Sequence, residues 1–123
     1  MLFRSVCALP LTPDTKGILN AEHFAQMPKG AAIINVARGQ HLIEEDLIAA
    51  LDSGHLSAAV LDVFQTEPLP DDSPIWRHPK ITATPHIAGI TEPRGALAYV
   101  EDIIALAERG APLPNLVDMT RGY

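Results

Sequence analysis

Ala31 to Ala37 is apolar at every position but Asn35, and no other stretch limits the possible folds of this chain so strongly. A strand with one wet face alternates apolar and polar residues, whereas a continuous apolar run belongs in a parallel sheet covered on both faces. The run ends in Arg38-Gly39. Shorter apolar runs, each suited to a strand, cover Phe3 to Leu9, Ala58 to Phe64 and Ile81 to Thr84. Between them lie helix signals. Asn20 is placed to cap a short helix over Ala21 to Met27, in which Phe24 and Met27 share a face before Pro28 and Gly30 end it. Glu44, Glu45 and Asp46 put three carboxylates at the positive end of a second helix, with Ile43, Leu47, Ile48 and Leu51 as its apolar stripe and Gly54 as its stop. Thr91 to Arg109 reads as a long amphipathic helix with Leu97, Val100, Ile104 and Ala107 on one side. The loop from Gln65 to Pro74 is too rich in proline and acid for either element.

Strands alternating with helices predict an α/β fold: about four parallel strands in sequential order, right-handed crossovers, helices on both faces and a long C-terminal helix. The domain is expected over residues 1–110, followed by an extended tail over 111–123 that has two prolines and no periodicity. With 123 residues and 47% hydrophobic content the chain has material for one modest core. Fifteen acidic against nine basic side chains leave a formal charge of −6 with no basic cluster, which argues against nucleic acid. The single cysteine, Cys7, excludes an internal disulfide and reads as a buried structural thiol. It fits a reducing compartment. No apolar run has membrane-spanning length, so a cytoplasmic, membrane-free location is expected.

In a parallel sheet, the residues just after each strand emerge at the carboxyl edge, where open α/β sheets bind ligands, and neighbouring strands are about 4.8 Å apart. Arg38, the stretch from Asp62 to Glu67, and His86 are therefore brought together from distant parts of the sequence. A guanidinium grips a substrate carboxylate bidentately, an imidazole moves a proton, and a carboxylate orients the imidazolium. Each residue also has a plainer role open to it. Arg38 fits a loop cation capping carbonyls, Glu67 a solvated acid and His86 a turn support. His23, His41, His55 and His78 lack metal-ligand spacing, so neither a metal site nor a metal hydrolase is expected.

Four motifs carry a resemblance: Leu9-Pro-Leu-Thr-Pro-Asp-Thr15, Ile34-Asn-Val-Ala-Arg-Gly39, Leu61-Asp-Val-Phe64 with Glu67-Pro68, and Thr84-Pro-His-Ile-Ala-Gly89. In this order they resemble the second half of the nucleotide-binding domain of the D-isomer-specific 2-hydroxyacid dehydrogenases. Ser73-Pro-Ile-Trp-Arg-His-Pro79 and the ending Arg121-Gly-Tyr123 are similar to the glyoxylate/hydroxypyruvate reductase branch. The resemblance implies a Rossmann-like unit and a hydride transfer between NAD or NADP and a small 2-oxo or 2-hydroxy acid. Arg38 would bind the carboxylate and carbonyl of the oxo acid, His86 would donate the proton, and Glu67 would pair with His86 and support its imidazolium. Asp62 would contact the nicotinamide carboxamide, and Leu9, Pro10 and the Val36-Ala37 backbone would line the dinucleotide cleft.

One departure from the family is large. No G-x-G-x-x-G occurs, so the turn that seats a pyrophosphate on a helix N-terminus is absent, as is the residue that selects NAD or NADP. The family's substrate domain is absent too, and the expectation is a fragment that is inactive alone. Such a fragment leaves an unpaired edge on its first strand and an uncovered apolar side on its last helix, so self-association as a homo-oligomer is expected. The competing expectation is a non-catalytic, self-associating module without cofactor binding.

Overall fold

The computed structural model describes residues 3–121, which fall into two compact units divided between Ala88 and Gly89. The first unit is a four-stranded parallel sheet in the order β1-β2-β3-β4, with β1 at Arg4–Cys7, β2 at Ala31–Asn35, β3 at Leu56–Leu61 and β4 at Ile81–Ala83. The sequential parallel order expected from the alternation of elements is the order found. Helices α1 (Ala21–Gln26) and α2 (Glu44–Asp52) connect the first three strands. Phe24 and Met27 at α1 and Leu47 and Leu51 of α2 belong to one buried cluster with Ile33, Ala59 and Leu61 of the sheet, so both helices share one sheet face. That face is buried along β2 and β3 and half-buried at Ile81 and Ala83 of β4. Within this unit the opposite face is open at β1, where Val6 is 57% exposed, and half-buried at Ile34 and Val60.

The helix starts follow their chemistry. The Asn20 side chain accepts the His23 N–H at 3.0 Å to cap α1, and the Asp46 carboxylate in the first turn of α2 accepts the Ala21 N–H at 2.8 Å. Cys7 is buried, as its surroundings in sequence suggest.

Strand ends differ from the sequence expectation in an informative way. The predicted strand Ala31 to Ala37 stops at Asn35, because that side chain turns back on its own loop: Oδ1 accepts the Ala37 N–H at 3.1 Å and Nδ2 donates to the Arg38 carbonyl at 3.1 Å. The predicted Ala58 to Phe64 strand starts two residues earlier, at Leu56, and ends at Leu61; Asp62, Val63 and Phe64 are buried as loop, not as strand. Pairing then sets the layout. Cys7 is opposite Asn35, Asn35 opposite Leu61, and Leu61 opposite Ala83, so all four strands end on one row.

The second unit contains α3 (Pro93–Glu108) and turns. Its cap is Glu92, whose carboxylate accepts the Arg94 and Gly95 N–H groups at 3.0 and 2.5 Å, one residue beyond the expected Thr91 start. No residue of α3 is buried, and Leu97, Val100 and Ile104 are exposed. Within the described residues the segment after Gly110 is not simply extended. It bends through turns, and Asn115 Nδ2 donates to the Tyr99 hydroxyl at 3.1 Å. No helix among the described residues is long and apolar enough to cross a membrane.

Candidate active site

The aligned strand ends deliver three loops to one edge. His86, three residues past β4, has φ 53°, a left-handed conformation that costs a non-glycine residue free energy and persists only under tight constraint. The constraint is Asp62. Its carboxylate is buried and accepts the Thr84 hydroxyl at 2.5 Å, the Ile87 N–H at 2.9 Å and the Ala88 N–H at 2.8 Å, while its carbonyl accepts the His86 N–H at 2.8 Å. Burial pushes this carboxyl up, but the three donors and the nearby His86 together outweigh it and hold it below the ordinary carboxylate range.

The His86 ring faces Glu67, with Nδ1 at 2.9 Å from Oε2. The other carboxylate oxygen, Oε1, accepts the Phe64 N–H at 2.9 Å, so both ends of the Glu67 carboxylate are fixed. The hydrogen bond from His86 and then that from Phe64 hold Glu67 below its ordinary range against partial burial, and the charges of His86 and Arg38 add to the effect. Since Nδ1–H is engaged by Glu67, Nε2 is the ring nitrogen left to exchange a proton with a ligand.

Arg38 completes the group. Its backbone is held by Asn35 and by a 3₁₀ turn over Gly39–His41, and its Nη1 donates to the Ala37 carbonyl at 2.6 Å. Gly39 is required there, because a Cβ would stand 1.8 Å from the Phe64 carbonyl carbon. The backbones of the two loops therefore touch. Arg38, Glu67 and His86 line one cavity of about 150 Å³, together with Gln40, Phe64 and Gln65. A larger and mainly apolar cleft of about 650 Å³ shares Phe64, Glu67 and His86 and continues past Leu69, Trp76 and Pro85.

The convergence of Arg38, Glu67 and His86 argued from sequence is thus present in the structure. Of the other residues singled out, Leu9 and Pro10 follow β1 and are exposed, Val36 is half-buried, and Ala37 is buried beside Arg38. Asp62 occupies the same edge as the anchor of the His86 loop, buried with three donors on its carboxylate. Sequence reasoning missed Gly39, Thr84, Asn35 and His41. Asn35, Gly39 and Thr84 do lie within the motifs that carry the resemblance, and Asn35 is the single polar residue in an apolar run, whereas nothing in the sequence marks His41. Among the described residues no group of three or more His, Cys, Asp or Glu side chains is arranged to hold a metal ion.

With this geometry the comparisons with known proteins agree. Residues 5–88 match the model of the D-isomer specific 2-hydroxyacid dehydrogenase NAD binding domain, and the chain belongs to that family. Glyoxylate/hydroxypyruvate reductase A of Salmonella newport is 52% identical over 94% of this chain and 37% of its own length. A D-isomer specific 2-hydroxyacid dehydrogenase from Xanthobacter autotrophicus, solved with NADPH and MES, superposes with TM-score 0.93 at 50% identity, covering 98% of this chain and 50% of that one. An NADPH-dependent glyoxylate/hydroxypyruvate reductase from Sinorhizobium meliloti, solved with NADP and sulfate, gives TM-score 0.93 at 42% identity over 98% of this chain and 40% of that one. The chain spans 37% of the length of the curated relative.

Proposed function

We propose that this chain supplies the proton-transfer and anion-binding half of the site of an NAD(P)-dependent reductase acting on a small 2-oxo acid of the glyoxylate or hydroxypyruvate type. The observation that carries the reading is the shared cavity of Arg38, Glu67 and His86, with His86 Nδ1 held 2.9 Å from Glu67. Reduction of the 2-oxo carbonyl, an aldehyde in glyoxylate and a ketone in hydroxypyruvate, needs a hydride at carbon and a proton at oxygen. The nicotinamide supplies the hydride. Here His86 Nε2–H gives the proton to the carbonyl oxygen, and Glu67 stabilises the ring while it is charged. Arg38 offers a planar, permanently charged fork matched to a 2-oxo acid carboxylate. In this reading Asp62, an acceptor at the same edge, is the partner of the nicotinamide carboxamide, and Leu9, Pro10, Val36 and Ala37 form the wall of the dinucleotide cleft. NADP is the cofactor of this reading, supported by the two relatives solved with NADPH or NADP. A cytoplasmic location goes with it.

The test is a full-length reductase in which residues 3–121 of this chain replace the corresponding segment of the Salmonella relative. NADPH-dependent reduction of glyoxylate or hydroxypyruvate supports the reading; a folded chimera that binds NADPH and reduces neither acid overturns it. A second reading, a non-catalytic homo-oligomeric module, is favoured by the exposed Leu97, Val100 and Ile104 of α3. Sedimentation of the chain itself across a concentration series separates the two features, since a concentration-independent monomer ends the oligomer proposal without touching the catalytic one.

A further inference from the structure

His41 is fully buried at 0% exposure and both of its ring nitrogens face backbone groups of the two neighbouring strand ends. Nε2 lies 3.2 Å from the Pro10 carbonyl, 31 residues away in sequence, and Nδ1 lies 3.3 Å from the Arg38 N–H nitrogen and 3.0 Å from the Arg38 carbonyl oxygen. A carbonyl only accepts, so Nε2 carries a hydrogen. The Arg38 carbonyl already accepts from Asn35 Nδ2 at 3.1 Å and from the His41 N–H at 3.2 Å, which fills its two lone pairs. Nδ1 is then the acceptor for the Arg38 N–H, in a neutral ring with the hydrogen on Nε2. The last backbone bond joining β1 and β2 runs from the Val36 N–H to the Cys7 carbonyl at 3.2 Å. Beyond it the chains diverge, and the imidazole bridges the gap as an additional rung.

We propose that His41 is a positioning residue that ties the Arg38 backbone to the Pro10 turn, so that the oxo-acid anchor and the dinucleotide wall hold a common spacing. The assignment rests on the function proposed above. It predicts that binding of cofactor and of oxo acid both depend on a side chain that touches neither. Three substitutions divide the ring's contacts. Asparagine reproduces an acceptor near Nδ1 but is too short for Pro10, glutamine reaches toward Pro10 without the Arg38 contact, and leucine removes both.

In the full-length chimera, His41→Leu is expected to raise the KM for glyoxylate about tenfold and the Kd for NADPH about fivefold while kcat stays within about twofold, the scale of one lost buried hydrogen bond at each end. His41→Asn shifts chiefly the NADPH Kd, and His41→Gln chiefly the glyoxylate KM. A residue that serves stability alone lowers the Tm of all three variants and leaves both constants at their original values, and that result overturns the proposal. Amide hydrogen exchange on the same proteins is independent of turnover. Faster exchange at Arg38 in His41→Leu supports the tie, and unchanged exchange there overturns it even if the chimera proves inactive, in which case the functional reading fails on its own evidence.

Discussion

The two loops that face each other across the site are held in different ways. On the His86 side the imidazole itself is fixed, since the ring is paired with Glu67, Glu67 is paired with the Phe64 N–H, and the loop backbone is fastened to the Asp62 carboxylate. On the Arg38 side only the backbone is fixed. Asn35 and Gly39 lock the turn, but the guanidinium is exposed and rests on one carbonyl, that of Ala37. A proton donor gains from pre-organisation, because its alignment must exist when charge moves. An anion-binding arm loses little by waiting in a weak contact, provided that the ligand makes a better one.

This contrast predicts where each substitution should act. The largest effect is expected from His86→Gln in the full-length chimera, with kcat reduced about 10²- to 10⁴-fold and little change in KM, as removal of a positioned general acid requires. Steady-state kinetics with glyoxylate checks it, and a large KM effect with intact kcat would merge the two loops into one binding function. Next, Arg38→Ala should raise the KM for the oxo acid about 30- to 100-fold, corresponding to a lost charge-assisted hydrogen-bonded pair. Arg38→Lys should restore only part of it, because an ammonium lacks the planar fork. Glu67→Gln should then lower kcat about tenfold with NADPH Kd unchanged in a fluorescence titration, the amide keeping contact with the ring but not its charge.

The last effect concerns stability. Asp62→Asn in the chain itself should cost about 1–3 kcal/mol in urea unfolding, because an amide cannot accept from all three donors on residues 84, 87 and 88. Arg38→Ala should cost almost nothing in the same assay, which sharpens the contrast between the fixed and the waiting side. The pH dependence has a definite sign. Asp62 and Glu67 both bind protons less readily in the folded chain than at their ordinary values, so the unfolded chain takes up more protons in acid. Their stabilisation is complete above the ordinary carboxylate range and is lost as pH falls below it through the depressed folded values. Urea midpoints measured from neutral to acid pH should fall along that path, less steeply in Asp62→Asn.

The strands, both connecting helices and the shared edge were legible because each depends on local pattern: apolar runs for Ile33 and Leu61, a cap at Asn20, and a carboxyl-edge location for whatever follows a parallel strand. Strand lengths were less so. Apolar residues continue past the last ladder pair, and Val63 and Phe64 are buried by loop packing that no period-two pattern encodes. The apolar side of α3 was also legible, and so was its lack of cover: Leu97, Val100 and Ile104 stand exposed within the described chain. Least visible were the backbone partners. His41 lacks any spacing signal because its contacts are a proline carbonyl and an amide, which every sequence contains, and Asp62 looks like a free acid until the folded loop supplies three donors to it.

Gly39 has a consequence for anyone who would alter the preferences of such a site. Because the backbones of the Arg38 and Phe64 loops meet with no room for a Cβ, the width of the opening is not adjustable by exchanging side chains at the junction. Libraries aimed at new ligands are better spent on Gln40, which lines the smaller cavity, and on Leu69 and Trp76 in the larger cleft. Variation at Gly39 samples mostly unfolded or displaced loops.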